Sequence, residues 1–179
     1  MSPNTPEERD RMSKIPYALA FGNLLYAMIC TRSDIAYTIS VVSQYQSDPG
    51  ESHWIAVKHI LKYLRRTKDM LLIYGMGDFH VDGFIGLDFQ SDVNDSKSMS
   101  GFLYLLNGSV VSWKSSKQTT TTNSTTETEY LMACDATKEA VWILKFLSEV
   151  DVVPTTLSPI PLYYDNNGVI AQAKELGSH

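Results

Sequence analysis

Three carboxylates stand where a phosphodiester-cutting site could be built. Glu127 falls in the first turn of a long helical pattern. Asp165 closes a short apolar strand pattern, and Asp88, with Asp92 four residues on, lies at the end of another. Acidic residues gathered from strand ends and a helix start can hold two Mg²⁺ ions about 3.5–4 Å apart, a pair that activates water and stabilises the leaving oxygen. Each residue also has a plainer role. Ser124-Thr125-Thr126-Glu127 matches a capping box, in which Glu127 reaches back to the Ser124 amide. Asp165-Asn166 ahead of a helical pattern is an ordinary N-cap. Asp92 and Asp95 flank a polar turn. Spacing alone leaves both readings open.

A second group is basic. Lys58, Lys62, Arg65 and Arg66 lie largely off the apolar stripe Trp54, Val57, Leu61, Leu64 of one helical pattern. They form either a solvated face or a contact surface for a nucleic-acid backbone. Charge balance limits the second option to this part of the chain. Residues 1–75 carry nine Lys/Arg against seven Asp/Glu, whereas residues 76–179 carry six against thirteen, for a net charge of -5. Phosphate contacts supply most non-specific affinity for nucleic acid, so a general binder should be basic throughout. This chain is not.

The elements that must position these residues follow from periodicity. Residues 1–14 are rich in Pro and charge and read as a flexible arm. Tyr17 to Cys30 is nearly all apolar, a buried helix too short to span a bilayer. Ser33-Asp34 offers an N-cap for a helix carrying Ile35, Ile39 and Val42. Asp48-Pro49-Gly50 is a turn, and a third helix runs from about His53 to Thr67. From Met70 the pattern changes. Met70–Tyr74, His80–Phe89, Ser100–Leu106 and Val110–Lys114 read as strands, with Asn107-Gly108 a strong hairpin signal. Residues 115–126 read as a Ser/Thr-rich loop, about Thr125 to Val150 as a long helix, Ile160–Tyr164 as a strand, and Asn167–Glu175 as a last helix. A strand-rich run followed by helix, strand and helix predicts an α+β or mixed α/β fold, a mixed sheet with helices packed on it.

The chain has 179 residues, a hydrophobic fraction of 44% and a mean hydropathy of -0.14, the composition of a globular protein. No apolar run is long enough to cross a membrane, and the polar, acidic N-terminus is unlike a secretory signal. An intracellular location, nucleus or cytoplasm, is the resulting expectation. Cys30 and Cys134 read as reduced core residues.

The wording of several motifs adds to this. Ile15-Pro16-Tyr17-Ala18, Gly22-Asn23-Leu24-Leu25-Tyr26-Ala27 and Cys30-Thr31-Arg32-Ser33-Asp34-Ile35 resemble the segment that ends a copia-type retrotransposon reverse transcriptase. His53-Trp54, Ile60-Leu61-Lys62-Tyr63-Leu64-Arg65, Ser112-Trp113, Ser124-Thr125-Thr126-Glu127-Thr128-Glu129-Tyr130 and Lys138-Glu139-Ala140-Val141-Trp142 continue the likeness, and Tyr164-Asp165-Asn166 resembles the family's Cys-Asp-Asn strand end. Together these cover nearly the whole chain.

The resemblance implies that residues 15–69 are the end of the polymerase, its connection region, and that residues 70–179 are a ribonuclease H-like domain lacking its C-terminal elements. In the family that domain cuts the RNA strand of RNA–DNA hybrids with Mg²⁺ held by acidic residues. Glu127 and Asp165 match two of those ligands. The first is missing: where the family carries Gly-Tyr-Thr-Asp-Ala-Asp, this chain reads Gly83-Phe84-Ile85-Gly86-Leu87-Asp88, so the ligand position is Gly86. Asp88 lies roughly 6.6 Å along the strand at about 3.3 Å per residue. Mg²⁺ takes ligands at about 2.0–2.1 Å in near-ideal geometry, so Asp88 is a poor substitute. The reading is a retroelement-derived module with impaired catalysis and weak or absent Mg²⁺ binding. Its partners would be an RNA–DNA hybrid or other nucleic acid, a protein, or a second copy of the chain, with no membrane. An active ribonuclease H and an inert relic are the alternatives. The motif wording resembles plant elements.

Overall fold

A computed structural model describes residues 2–3, 5–75, 79–88, 99–117, 125–150 and 159–164. The chain divides into two compact units, Met1–Leu72 and Ile73–His179.

The first unit is helical. α1 (Pro6–Ser13) occupies the segment expected as a flexible arm. Thr5 caps it by accepting the Glu8 N–H at 3.2 Å, Pro6 sits at its start where no amide partner is needed, and Met12 is buried. α2 (Tyr17–Cys30) is followed by a single 3-10 turn (Ser33–Ile35), α3 (Ala36–Ser43) and α4 (Glu51–Arg66). No side chain caps the 3-10 turn, so the N-cap expected at Ser33 is not formed. The core joins Tyr17, Phe21 and Leu24 of α2 to Ile35, Ile39 and Val42, and to Val57 and Ile60 of α4. These positions recur at three- and four-residue intervals, which is what places them on one face of each helix. α2 is apolar on its other side as well, and Leu19, Tyr26 and Ile29 are exposed. Cys30 is exposed too, not the core residue expected; Cys134 is half-buried, and both are free thiols.

Two local devices hold this unit. The His53 ring accepts the Gly50 N–H at 2.9 Å through Nδ1, closing the start of α4, and stacks on Tyr45 with centroids 4.0 Å apart. Arg32 closes the other end of α4. Its guanidinium donates to the Thr67 carbonyl and hydroxyl at 3.2 and 2.6 Å, binds Asp34 at 2.7 Å and lies over the Tyr63 ring. The Tyr63 hydroxyl donates to the same carboxylate at 2.8 Å. A cation at a helix C-terminus meets unpaired carbonyls and the negative end of the dipole.

The second unit carries a four-stranded mixed sheet in the order β3-β2-β1-β4, formed by β1 (Val81–Asp88), β2 (Met99–Leu106), β3 (Ser109–Lys117) and β4 (Leu162–Tyr164). β1–β2 and β2–β3 are antiparallel, and β4 is parallel to β1. Asn107 and Gly108 turn β2 into β3 with φ of 51° and 78°, the left-handed pair that a two-residue hairpin requires. α5 (Thr125–Glu149) packs on one face of the sheet. With the five helices of the described residues, the fold is mixed α+β, as the element order predicted. Met70–Tyr74, expected as a strand, is not one: Ser109 Oγ donates to the Ile73 carbonyl and the Tyr74 hydroxyl to that of Val110, so the segment touches β3 without joining the ladder. β3 runs three residues past its expected end. The helix expected at Asn167–Glu175 lies outside the described residues.

Alternation sorts the strand residues. Val81, Gly83 and Ile85 face α5, with Phe102, Tyr104 and Leu162 beside them; Tyr104 is fully buried and donates to the Ala136 carbonyl at 2.5 Å.

The helical unit should weaken on acidification in two steps. Burial holds His53 below the usual imidazole range, and Arg32 followed by the Tyr63 hydroxyl holds Asp34 below the usual carboxylate range. Both folded-state values are depressed, so both contributions are present above the unfolded values and are lost as pH falls. Urea midpoints should drop first below about pH 6.5 and again below about pH 4. His53→Gln should remove the first step and Arg32→Met most of the second.

Candidate functional site

The topology gathers three chain positions at one end of the sheet. β4 runs parallel to β1 and ends with Tyr164 opposite Ile85, so Gly86 is the next position along β1. α5 runs antiparallel to β1. Met132 and Ala136 pack on Ile85 near the strand's end, while Ala140 and Ile143 pack on Val81 and Tyr104. The first turn of α5, which contains Glu127, is thereby directed to the end of β1 that carries Gly86 and Asp88. The Glu127 and Asp88 side chains and the whole of Asp165 lie outside the described residues. Among the described residues, no three His, Cys, Asp or Glu side chains group as metal ligands.

Gly86 itself is well described. It pairs with Gly101 of β2 and is exposed, and a Cβ built on it meets nothing within 4 Å among the described residues. The other strand glycines differ. A Cβ on Gly83 would lie 2.5 Å from Leu162 Cδ2 and 2.7 Å from Tyr104 Cε1, and one on Gly101 would lie 2.7 Å from the Lys114 backbone oxygen. Gly83 and Gly101 are therefore required by packing, while Gly86 is not. A glycine offers no ligand atom, so this position does not fit a metal-binding carboxylate set. Alternation also puts Gly86 with Asp82 and Phe84 on the face that α5 does not cover. On that face Phe84 stacks on its register partner Tyr163 at 5.1 Å, and both rings are about half exposed.

The basic residues of α4 lie together. Lys58, Lys62, Arg65 and Arg66 are all exposed, on the side of the helix opposite the buried His53, Val57 and Ile60. None has an ion-pair partner among the described residues. The four charges thus share one open face.

A second polar group was not foreseen. Lys114 of β3 and Lys138 of α5 both reach Asp135, at 3.3 and 3.2 Å, and these cations, Lys138 foremost, hold its carboxyl below the usual range. They line a cavity of about 290 Å³ between α5 and the β2–β3 edge, together with Lys117, Ser100, Ser116 and Cys134. The Asp135/Lys138 spacing is visible in the sequence. Lys114 is not, because only the β2–β3 register brings it to α5. Deeper in the same layer Ser112 Oγ donates to Glu139 at 2.7 Å, and burial beside Cys134 pushes the Tyr164 hydroxyl up to about 12.

A mixed α+β unit built on a four-stranded mixed sheet, preceded in the chain by a helical unit, is the class that these features define. Comparison with known proteins narrows it. The chain is 43% identical over 150 residues, 84% of its length, to the retrovirus-related Pol polyprotein from transposon TNT 1-94 of Nicotiana tabacum, and 32% identical over 147 residues to that from transposon RE2 of Arabidopsis thaliana. Over most of its length it is homologous to a segment of the Pol polyproteins from copia-type transposons. It spans about a tenth of the length of those polyproteins, 11% and 10%. It is also 42% identical over 133 residues to Secreted RxLR effector protein 161 of Plasmopara viticola, of which it spans 94%. No family model and no solved structure matches it.

The glycine contrast is directly measurable. Gly86→Ala should leave the second unit as stable or raise its stability by up to about 1 kcal/mol, since a strand glycine is entropically costly. Gly83→Ala and Gly101→Ala should each cost about 1–3 kcal/mol through overpacking. Urea denaturation of the three variants checks the order.

Proposed function

We propose that this chain is a retroelement-derived, ribonuclease H-like module that binds a partner and does not cut hybrids. The observation that carries the reading is Gly86: the position matching the family's first metal-ligating aspartate holds a residue with no side-chain donor atom, and among the described residues a Cβ there would meet nothing within 4 Å. Mg²⁺ binding would then be weak or absent, with Glu127 and Asp165 left as an incomplete ligand pair. The basic face of α4, Lys58, Lys62, Arg65 and Arg66, is the natural contact for an RNA–DNA hybrid or another nucleic-acid backbone. A protein partner, or a second copy of this chain, is the other binding option.

A second reading has its own support. The convergence of the β1 end, the β4 end and the α5 start is the arrangement that an active Mg²⁺-dependent ribonuclease H would use, with Asp88 in place of the missing ligand. Asp88 stands two residues, roughly 6.6 Å along an extended strand, beyond the position that the resemblance gives to the ligand. That makes the substitution difficult.

Cleavage of a labelled RNA–DNA hybrid with Mg²⁺ or Mn²⁺ separates the two. The unaltered chain should be silent; cutting that disappears in Glu127→Gln would establish the nuclease instead. Activity gained in Gly86→Asp would identify the absent ligand as the cause of the silence. Hybrid binding should weaken with salt, and neutralising Lys62 and Arg65 together should lower the salt slope by about 2.

A further inference from the structure

The second unit is acidic, with six lysines against thirteen carboxylates after residue 76 and no arginine. Three of those six, Lys114, Lys117 and Lys138, nonetheless line a cavity between α5 and the β2–β3 edge. Concentration of scarce cations around a cavity of about 290 Å³ is not what a solvated surface needs. Lys114 and Lys138 converge from different elements on a single carboxylate, Asp135. Among the described lining residues Lys114 and Lys138 outnumber the one carboxylate they share, and both ammonium groups are oriented toward that one point.

The same side of α5 carries an aromatic ledge. Trp142 lies one helical turn beyond Lys138, about 6 Å along the axis. Its ring stacks on Phe146 with centroids 5.4 Å apart and an interplanar angle of 12°. Trp142 is 57% exposed and Phe146 50%, so neither is a core residue whose ring the fold has used up. Leaving two large apolar rings in water is unfavourable unless something covers them. A flat, exposed aromatic pair beside a cationic cavity is the combination by which proteins hold unpaired nucleotides: bases stack on the ring and phosphates meet the lysines.

We infer that this surface of α5 is a binding site for single-stranded nucleic acid, with a base stacked on Trp142 and the adjoining phosphate held by Lys114 and Lys138. The site lies on the covered side of the sheet, away from Gly86, and does not depend on whether any hybrid-cutting chemistry survives. Asp135 acts as a built-in competitor: in the free protein it occupies the two lysines that the phosphate would take.

Fluorescence anisotropy of a labelled oligothymidylate with the full chain tests this. Saturable, salt-sensitive binding is expected. Trp142→Ala should weaken it about tenfold, and Lys114→Gln with Lys138→Gln should weaken it comparably and flatten the salt dependence. Asp135→Asn should strengthen it several-fold, an effect that damage to the fold would not produce. Lys58→Gln with Lys62→Gln on α4 should leave the Trp142 effect intact. No binding by the unaltered chain, binding indifferent to Trp142 and the two lysines, or weaker binding by Asp135→Asn would each overturn the inference. Displacement by thymidine monophosphate as readily as by unlabelled oligomer would also overturn it, reducing the cavity to a site for small phosphates. Cutting of a hybrid by the same preparation would sink the non-cutting reading and leave this one standing.

Discussion

The sheet unit depends on one buried hydroxyl. Tyr104 sits in the middle of β2 with no exposed surface, and its hydroxyl donates to the Ala136 carbonyl of α5. Taking a phenol out of water without a partner would cost a few kcal/mol, so this bond is the condition on which the ring can be central at all. Burial keeps the hydroxyl protonated well above the usual phenol range, and it therefore remains a donor at any pH the fold survives. Several other features follow from it. The ring occupies the space a side chain at residue 83 would need, which is why β1 has glycine there. Leu162 of β4 fills the rest of that space, so the parallel pairing of β4 with β1 and the seating of α5 share one contact.

The helical unit has a different organising element, the Arg32–Asp34 pair. Its worth lies less in the ion pair than in what the guanidinium does besides, satisfying both the carbonyl and the hydroxyl of Thr67 at the end of α4. The side chain is largely covered, so the interaction escapes much of the screening that makes surface pairs weak. The Thr31-Arg32-Ser33-Asp34 stretch, which the sequence presented as a motif without a mechanism, thus has one: it returns the chain from α2 and ties the far end of α4.

Strong periodicity made most elements legible. α2 was recognisable to the residue because it is bounded by Pro16 and by the polar run Thr31–Asp34, and the β2–β3 hairpin because Asn107-Gly108 suits the left-handed turn. Where local rules failed, a tertiary or chemical competitor decided. The first segment was expected as an arm from its charge, yet Thr5 and Pro6 form a good helix start and Met12 finds a buried place. Met70–Tyr74 has strand composition, but among the described residues only Ser109 and Tyr74 bond it to its neighbour. Cys30 looked internal because α2 is apolar all round, and composition cannot say which side of such a helix is covered. Of the candidate site, the place of Gly86 near the end of β1 was readable from the strand pattern. The Lys114–Asp135–Lys138 group was not, since it depends on strand register.

The three glycines of the sheet show how site and scaffold come apart. At positions 83 and 101 a methyl group would strike a packed ring, a leucine or a backbone oxygen, so any change there is opposed by the core itself. At position 86 none of the described residues is in contact, and a side chain could be gained or lost there with little effect on their packing. Residues of the first kind persist as long as the protein must fold; residues of the second kind persist only as long as their chemistry is used. The packing of Tyr104, Gly83 and Leu162 therefore constrains the scaffold independently of what stands at position 86. The same separation allows a surface such as the Trp142 ledge to serve binding without disturbance to the core, because Trp142 and Phe146 are half exposed and belong to neither buried cluster of this unit.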